Sequence, residues 1–280
     1  MNRAKGVVET QIPADDRIRN VDTIPLLIPN VQKNGANSRD REKRIGIRMA
    51  LVAGTYMMLV FITPLTLEPG TVPELSGRAN LIDYATVDGW GSWGNNDHGE
   101  NSELGHDQLS GGGAFAWMDH GPLVALVYSI GDLNCHQKSE RAFMVNGNQT
   151  AVCARDIGIL FGFVVGALAW SRWGLNRYSI RDTFLSMLPD TRTAPLYRAD
   201  RRLIAMFSIL LIGVLPTGID GFTQLLTSYE SNNALRLITG STAGGALAWL
   251  VGATISARAT DFDSLGEVKL PAGASLRIRE

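Results

Sequence analysis

The chain has 280 residues, 26 Lys and Arg against 27 Asp and Glu, a formal net charge of −1 and 45% hydrophobic residues. Spread evenly, those values would suit one or two soluble domains. They are not spread evenly: long uncharged runs alternate with strongly polar stretches, which excludes a simple water-soluble globule.

In chain order, residues 1–45 form a mixed-charge tail in which Ile24-Pro25-Leu26-Leu27-Ile28-Pro29 is a short apolar patch suited to docking on the rest of the chain. The tail carries no signal-peptide core, so the first apolar run is expected to act as a retained start-transfer helix. Four runs, 46–66, 155–173, 203–221 and 236–257, are long and apolar enough to be transmembrane helices. Crossing about 30 Å of hydrocarbon takes roughly 20 residues at about 1.5 Å each. Between the first two lies a polar excursion, 67–154. Its first part, 67–113, is rich in Gly, Asn, Asp and Ser around Trp90 and Trp93 and reads as a lid or long loop. Its second part predicts a helix over about 119–133, interfacial or re-entrant, with Asp119 as cap, Pro122 in the first turn, and Trp117 and Tyr128 at headgroup depth. An Arg-rich connector (174–202), a short turn (222–235) and a polar tail (258–280) complete the chain. The expected fold class is an all-α polytopic membrane bundle of four transmembrane helices plus the interfacial helix.

Basic residues resist translocation and collect on the cytoplasmic side. Arg39, Arg41, Lys43, Arg44 and Arg48 precede or open the first span, and Arg172, Arg177, Arg181, Arg192, Arg198, Arg201 and Arg202 lie between the second and third. A cell-membrane protein with both termini cytoplasmic and 67–154 extracytoplasmic is therefore expected; Arg155 and Arg236 are the exceptions. Two spans carry small-residue stripes: Gly158, Gly162 and Gly166 in the second, and Gly240, Gly244, Ala248 and Gly252 in the fourth. Such stripes let helix backbones approach in lipid, within the bundle or toward a second copy or membrane partner.

The chemistry-bearing residues gather on the expected outer side. Cys135-His136-Gln137 is followed eighteen residues after Cys135 by Cys153, with Asp156 three positions on. On a first helical turn that spacing puts Cys153 and Asp156 on one face. Thiolate, imidazole and carboxylate all ligate zinc or a similar divalent metal, so Cys135, His136, Cys153 and Asp156 form a candidate metal site. Three of them would leave a position for water, and all four would close the site. The same spacing admits a Cys135–Cys153 disulfide, worth about 3 kcal/mol in the chain-entropy model, or free thiols. Asp220, at the outer end of the third span, is a candidate functional carboxylate beside hydrocarbon, with Gln224 one turn on and Pro216 able to kink the helix before it. Arg236 opens the fourth span and calls for a carboxylate partner among Asp220, Glu230 and Asp156. His98, His106 and His120 lie in the same outer region as weaker candidate ligands, and Asn148-Gln149-Thr150 is a glycosylation sequon. No phosphate-cradling glycine loop, GxSxG elbow or HExxH helix occurs, and topology accounts for the basic connector, so no nucleic-acid partner is expected.

These residues resemble the DUF2085 family of predicted prokaryotic membrane proteins, whose pattern runs CHQ-x3-R-S-F, then C-A-R-C before a glycine-rich span. Here the elements read Cys135-His136-Gln137-Lys138-Ser139-Glu140-Arg141-Ala142-Phe143 and Cys153-Ala154-Arg155-Asp156-Ile157-Gly158. Asp220-Gly221-Phe222-Thr223-Gln224 and Arg236-Leu237-Ile238-Thr239-Gly240 continue the likeness, which covers about residues 120–255. The family's Cys, His, Cys, Cys pattern implies a metal or redox site. Asp156 stands where a cysteine is expected, which weakens a dithiol redox motif and leaves metal or disulfide. Two functional classes follow. One is a metal-dependent membrane enzyme acting on a lipid or small molecule, with Asp220 as acid or base and Arg236 and Gln224 binding an anionic or amide group. The other is a non-enzymatic subunit or scaffold stapled by the disulfide, with a small-ion carrier as a third and weaker option.

Overall fold

The computed structural model describes residues 39–75, 82–96, 113–274 and 276. The apolar patch at 24–29, His98 and His106 lie outside the described residues. Among the described residues, seven α-helices follow in order: α1 (Asp40–Leu65), α2 (Pro122–Asn134), α3 (Ala154–Trp173), α4 (Ile180–Leu185), α5 (Asp190–Arg198), α6 (Arg202–Leu226) and α7 (Asn233–Ser256). Strand among the described residues is confined to a two-residue ladder in which β1 (Met144–Val145) pairs antiparallel with β2 (Asn148–Gln149). Its turn is Asn146-Gly147, both at positive φ (53° and 71°), the backbone that a tight hairpin needs.

Helices α1, α3, α6 and α7 have 26, 20, 25 and 24 residues and are apolar enough to cross a membrane. At about 1.5 Å per residue each reaches at least about 30 Å. The chain is thus an all-α bundle, with four candidate membrane-spanning helices among the described residues. Helix α2, with 13 residues, reaches only about 20 Å and is too short to span. Pro122 occupies its first turn as expected, but Gly121 is its N-cap; Asp119 ends a preceding 3-10 turn and does not cap. Helix α6 continues to Leu226, five residues beyond the expected end, so Asp220 and Gln224 lie within a helix and not at its terminus.

The α3 and α7 helices run parallel and in close contact, a pairing that requires the long crossover through α4, α5 and α6. Their small-residue stripes face each other. A Cβ added at Gly158 would meet Leu237 O at 2.4 Å, one at Gly162 would meet Ser241 O at 2.0 Å, and one at Gly244 would meet Ile159 O at 2.0 Å. The two stripes thus pack against each other inside the bundle. This is the packing lipid favours: apolar side chains gain little by leaving hydrocarbon, so helices associate where backbones can touch. Large apolar residues point outward instead, among them Phe207, Leu211, Ile212 and Phe222 on α6.

Conventional apolar cores form toward the two ends of the bundle. Val72, Leu75, Tyr84, Phe115, Val127, Tyr128 and Cys135 pack together at the end where α3 and α7 begin. Trp170, Phe184, Leu185, Tyr197, Met206 and Phe262 do so at the other end. There Arg39 donates to Gly174 O (3.1 Å) and Arg41 to Ser256 O (2.9 Å) and Ile255 O (2.8 Å). Two arginines thereby satisfy last-turn carbonyls of α3 and α7, at the negative ends of both helix dipoles.

Candidate functional site

The site lies where α3 and α7 begin. Cys135 is the C-cap of α2, and Cys153 is the N-cap of α3. The Cys153 thiol does not cap its helix; it donates to Asp156 Oδ2 at 3.2 Å, while the Cys153 backbone N–H donates to Cys135 Sγ at 3.2 Å. The ligand atoms of Cys135, Cys153 and Asp156 all lie within 4.8 Å of one another, and neither thiol is in a disulfide. In a tetrahedral zinc site such atoms sit about 3.3–3.8 Å apart, so small side-chain rotations would close the set. The neighbouring Cys153 thiol, then burial and the Asp156 carboxylate, push the Cys135 thiol well above its ordinary range. His136 is exposed and lines the same cavity, but its ring is not among the three convergent groups. His120 instead stacks on Phe115, with ring centroids 5.6 Å apart.

Neutral amides hold the two cysteines in register. Gln137 turns inward at φ +50°, a left-handed backbone that costs a non-glycine residue about 1 kcal/mol. Its side chain donates to Ala151 O at 3.1 Å, and Gln149 donates to Gln137 O at 2.9 Å. Tyr128 Oη donates to Gln149 O at 2.6 Å. Gly131 of α2 lies so close to this segment that a Cβ there would meet Ala151 O at 2.0 Å. Asn148, the residue of the expected sequon, is fully buried, accepting from Val72 N (2.8 Å) and donating to Pro64 O (3.1 Å). The folded protein offers no glycan acceptor there.

Behind the cysteines runs a polar chain across three helices. Asp220 forms an ion pair with Arg155 and accepts from Gln224 Nε2 at 3.1 Å; Gln224 Oε1 in turn accepts from Arg236 at 3.3 Å. Two expectations are revised. The cation beside Asp220 is Arg155, not Arg236, and Glu230 pairs with Arg141 at 3.3 Å. Arg236 itself is 2% exposed and bonds to neutral oxygens: Asn233 Oδ1 (3.0 Å), Glu140 O and Gln224 Oε1. Arg155 and Arg236 line a cavity of about 110 Å³ with Cys135, Cys153, Asp156, Lys138 and Arg141, whereas Asp220 and Gln224 stand behind its wall.

Sequence reasoning missed Gln137, Gln149, Lys138 and Arg141. Amides and loop cations carry little signal by type, although Gln137 lies in the CHQ element and Arg155 stood out as a charge against the topology rule.

A helical membrane protein with a Cys/Asp cluster at one end of its bundle is thus the class that fold and site define. The family model described as "Predicted membrane protein (DUF2085)" matches residues 135–250, which contain the cluster, the connector and most of the α3–α7 seam. An uncharacterised protein of Methanothermobacter thermautotrophicus is 36% identical over 116 residues, covering 41% of this chain and 82% of that protein. One from Methanocaldococcus jannaschii is 33% identical over 118 residues, covering 42% of this chain and 61% of that protein. The chain belongs to the DUF2085 family. No solved structure matches it.

Proposed function

We propose that the protein is a metal-dependent membrane enzyme that holds zinc or a similar divalent cation on Cys135, Cys153 and Asp156 and acts on a lipid or small molecule entering the adjoining cavity. The observation that carries this reading is the convergence of three ligand atoms within 4.8 Å beside an open space. Three protein ligands leave a coordination position for water, whose pKa zinc lowers toward about 7. His136 lines the same cavity outside the three-ligand group. Asp220 and Gln224 act as positioning residues, fixing Arg155 and Arg236 against the cavity wall. The arginines at the opposite end of the bundle support a cytoplasmic location for that end and both termini, with the site extracytoplasmic.

Elemental analysis tests the reading. Protein purified without chelator should carry about one equivalent of metal, which Cys135→Ser and Cys153→Ser each remove and His136→Ala retains. Absence of stoichiometric metal in wild-type protein with both thiols reduced overturns it. The closeness of Cys135 Sγ to the Cys153 backbone, 3.2 Å from its N–H, favours a second reading, a scaffold stapled by a disulfide. A quantitative Cys135–Cys153 link in non-reducing mass spectrometry would establish that state instead.

A further inference from the structure

We infer that the cavity beside the cysteines is a receptor for a phosphate group, seated on Arg236 and Lys138. The inference deepens the metal-site reading by naming what the open side of that site meets, yet it rests on different residues. Four cations, Lys138, Arg141, Arg155 and Arg236, line the cavity against one carboxylate, Asp156. Arg155 and Arg141 are held by Asp220 and Glu230. Lys138 and Arg236 have no carboxylate within ion-pair distance among the described residues.

Arg236 is the decisive group. A guanidinium that is 2% exposed at the end of a membrane helix is costly unless an anion balances it. Its three protein partners are neutral oxygens, and its Nε is buried with no hydrogen-bond partner. A planar guanidinium with an unused N–H is suited to an oxyanion with several acceptor oxygens. The start of α3 adds to the field: its N-cap, Cys153, makes no side-chain cap bond, leaving first-turn N–H groups at the positive end of a 20-residue helix beside the cavity. The space of about 110 Å³ is several times the roughly 15 Å³ that one water needs, enough for a tetrahedral oxyanion and the water around it. Lipid phosphates and soluble phosphate esters share this chemistry, and the cavity adjoins the N-terminal ends of two candidate membrane-spanning helices, α3 and α7.

The full-length protein in neutral detergent tests both sources. In one arm inorganic phosphate is titrated calorimetrically; in the other, native mass spectrometry compares retention of phosphatidic acid with that of diacylglycerol, which lacks the phosphate. Binding in either arm is expected, weakened at least tenfold by Arg236→Gln and by the surface pair Lys138→Ala with Arg141→Ala, which keeps the test open if Arg236→Gln does not fold. Preference for phosphatidic acid with no phosphate signal assigns the site to a headgroup, and phosphate binding alone to a soluble ester. No binding in either arm, or binding unchanged in the Lys138 and Arg141 variant, overturns the inference. Metal content measured on the same samples separates the two readings. Phosphate binding by metal-free Cys153→Ser protein leaves this site standing without the metal, and wild-type protein with full metal content that binds neither ligand removes only the phosphate site.

Discussion

Replacement of Gly162 by alanine tests whether the α3–α7 seam sets the geometry of the site. The added Cβ would lie 2.0 Å from Ser241 O, about 1.4 Å short of ordinary contact, which begins near 3.4 Å. The obstacle is backbone on a rigid helix and cannot rotate away, so the two helices must separate. Overpacking of this kind costs about 1–3 kcal/mol. Alanine also recovers about 1 kcal/mol of helix propensity, which would mask part of the cost. Gly218→Ala on α6 isolates the clash, because nothing lies within 4 Å of a Cβ at that position. The difference between the two variants should be about 2 kcal/mol, or about 4–8 °C in Tm for a domain of this size, with Gly162→Ala the less stable. Thermal unfolding in detergent followed by tryptophan fluorescence measures it. A Gly162→Ala protein that melts within about 2 °C of Gly218→Ala refutes the close-packed seam. Since α3 carries Cys153, Arg155 and Asp156 while α7 carries Arg236, separation should also loosen the cluster, so metal content should fall alongside stability.

Two further outcomes follow from the polar chain and the charge pattern. Asp220→Asn leaves Arg155 without its carboxylate; breaking a buried pair costs about 3–5 kcal/mol, and the 23% exposure of the Arg155 side chain reduces the expected loss to about 2 kcal/mol. A double-mutant cycle with Arg155→Met should recover most of it as coupling, and additivity within about 0.5 kcal/mol would dispose of the pair as a stabilising contact. In a background with Cys135→Ser and Cys153→Ser, exposed Ser228→Cys should react with a membrane-impermeant maleimide in intact cells, whereas exposed Arg192→Cys should react only after permeabilisation. The reverse pattern would invert the proposed orientation.

The four spanning helices were legible because lipid writes its requirement locally, as uninterrupted apolar length. Their ends were less so. Asp220 and Gly221 read as the end of a span, yet α6 runs through them, and Arg155, 65 residues earlier, balances the carboxylate. The same separation made Arg155 look like a topological exception: a charge rule based on position along the chain cannot see a partner on another helix. Residue type and spacing pointed to Cys135, Cys153 and Asp156, whose ligand atoms lie within 4.8 Å of one another because the Cys153–Asp156 step is a single helical turn and the α2 C-terminus returns to it. Spacing could not separate His136 from that group: it lines the cavity, yet it is not one of the three convergent ligands. The period-four stripes announced close approach, although only the fold says which helix they meet. A sequon is blind to burial, and Asn148 is committed to the segment it anchors.

The amide ties around Gln137 and Gln149 bear on what sulfur is free to do. The loop from Cys135 to Cys153 is already closed by side-chain amides, a tyrosine hydroxyl and a glycine contact, none of which responds to redox conditions. Joining, parting or metallating the two thiols therefore need not reshape the wall on which they sit. The groups that hold the loop and the atoms that could bind a metal or pair with each other are thus largely separate parts.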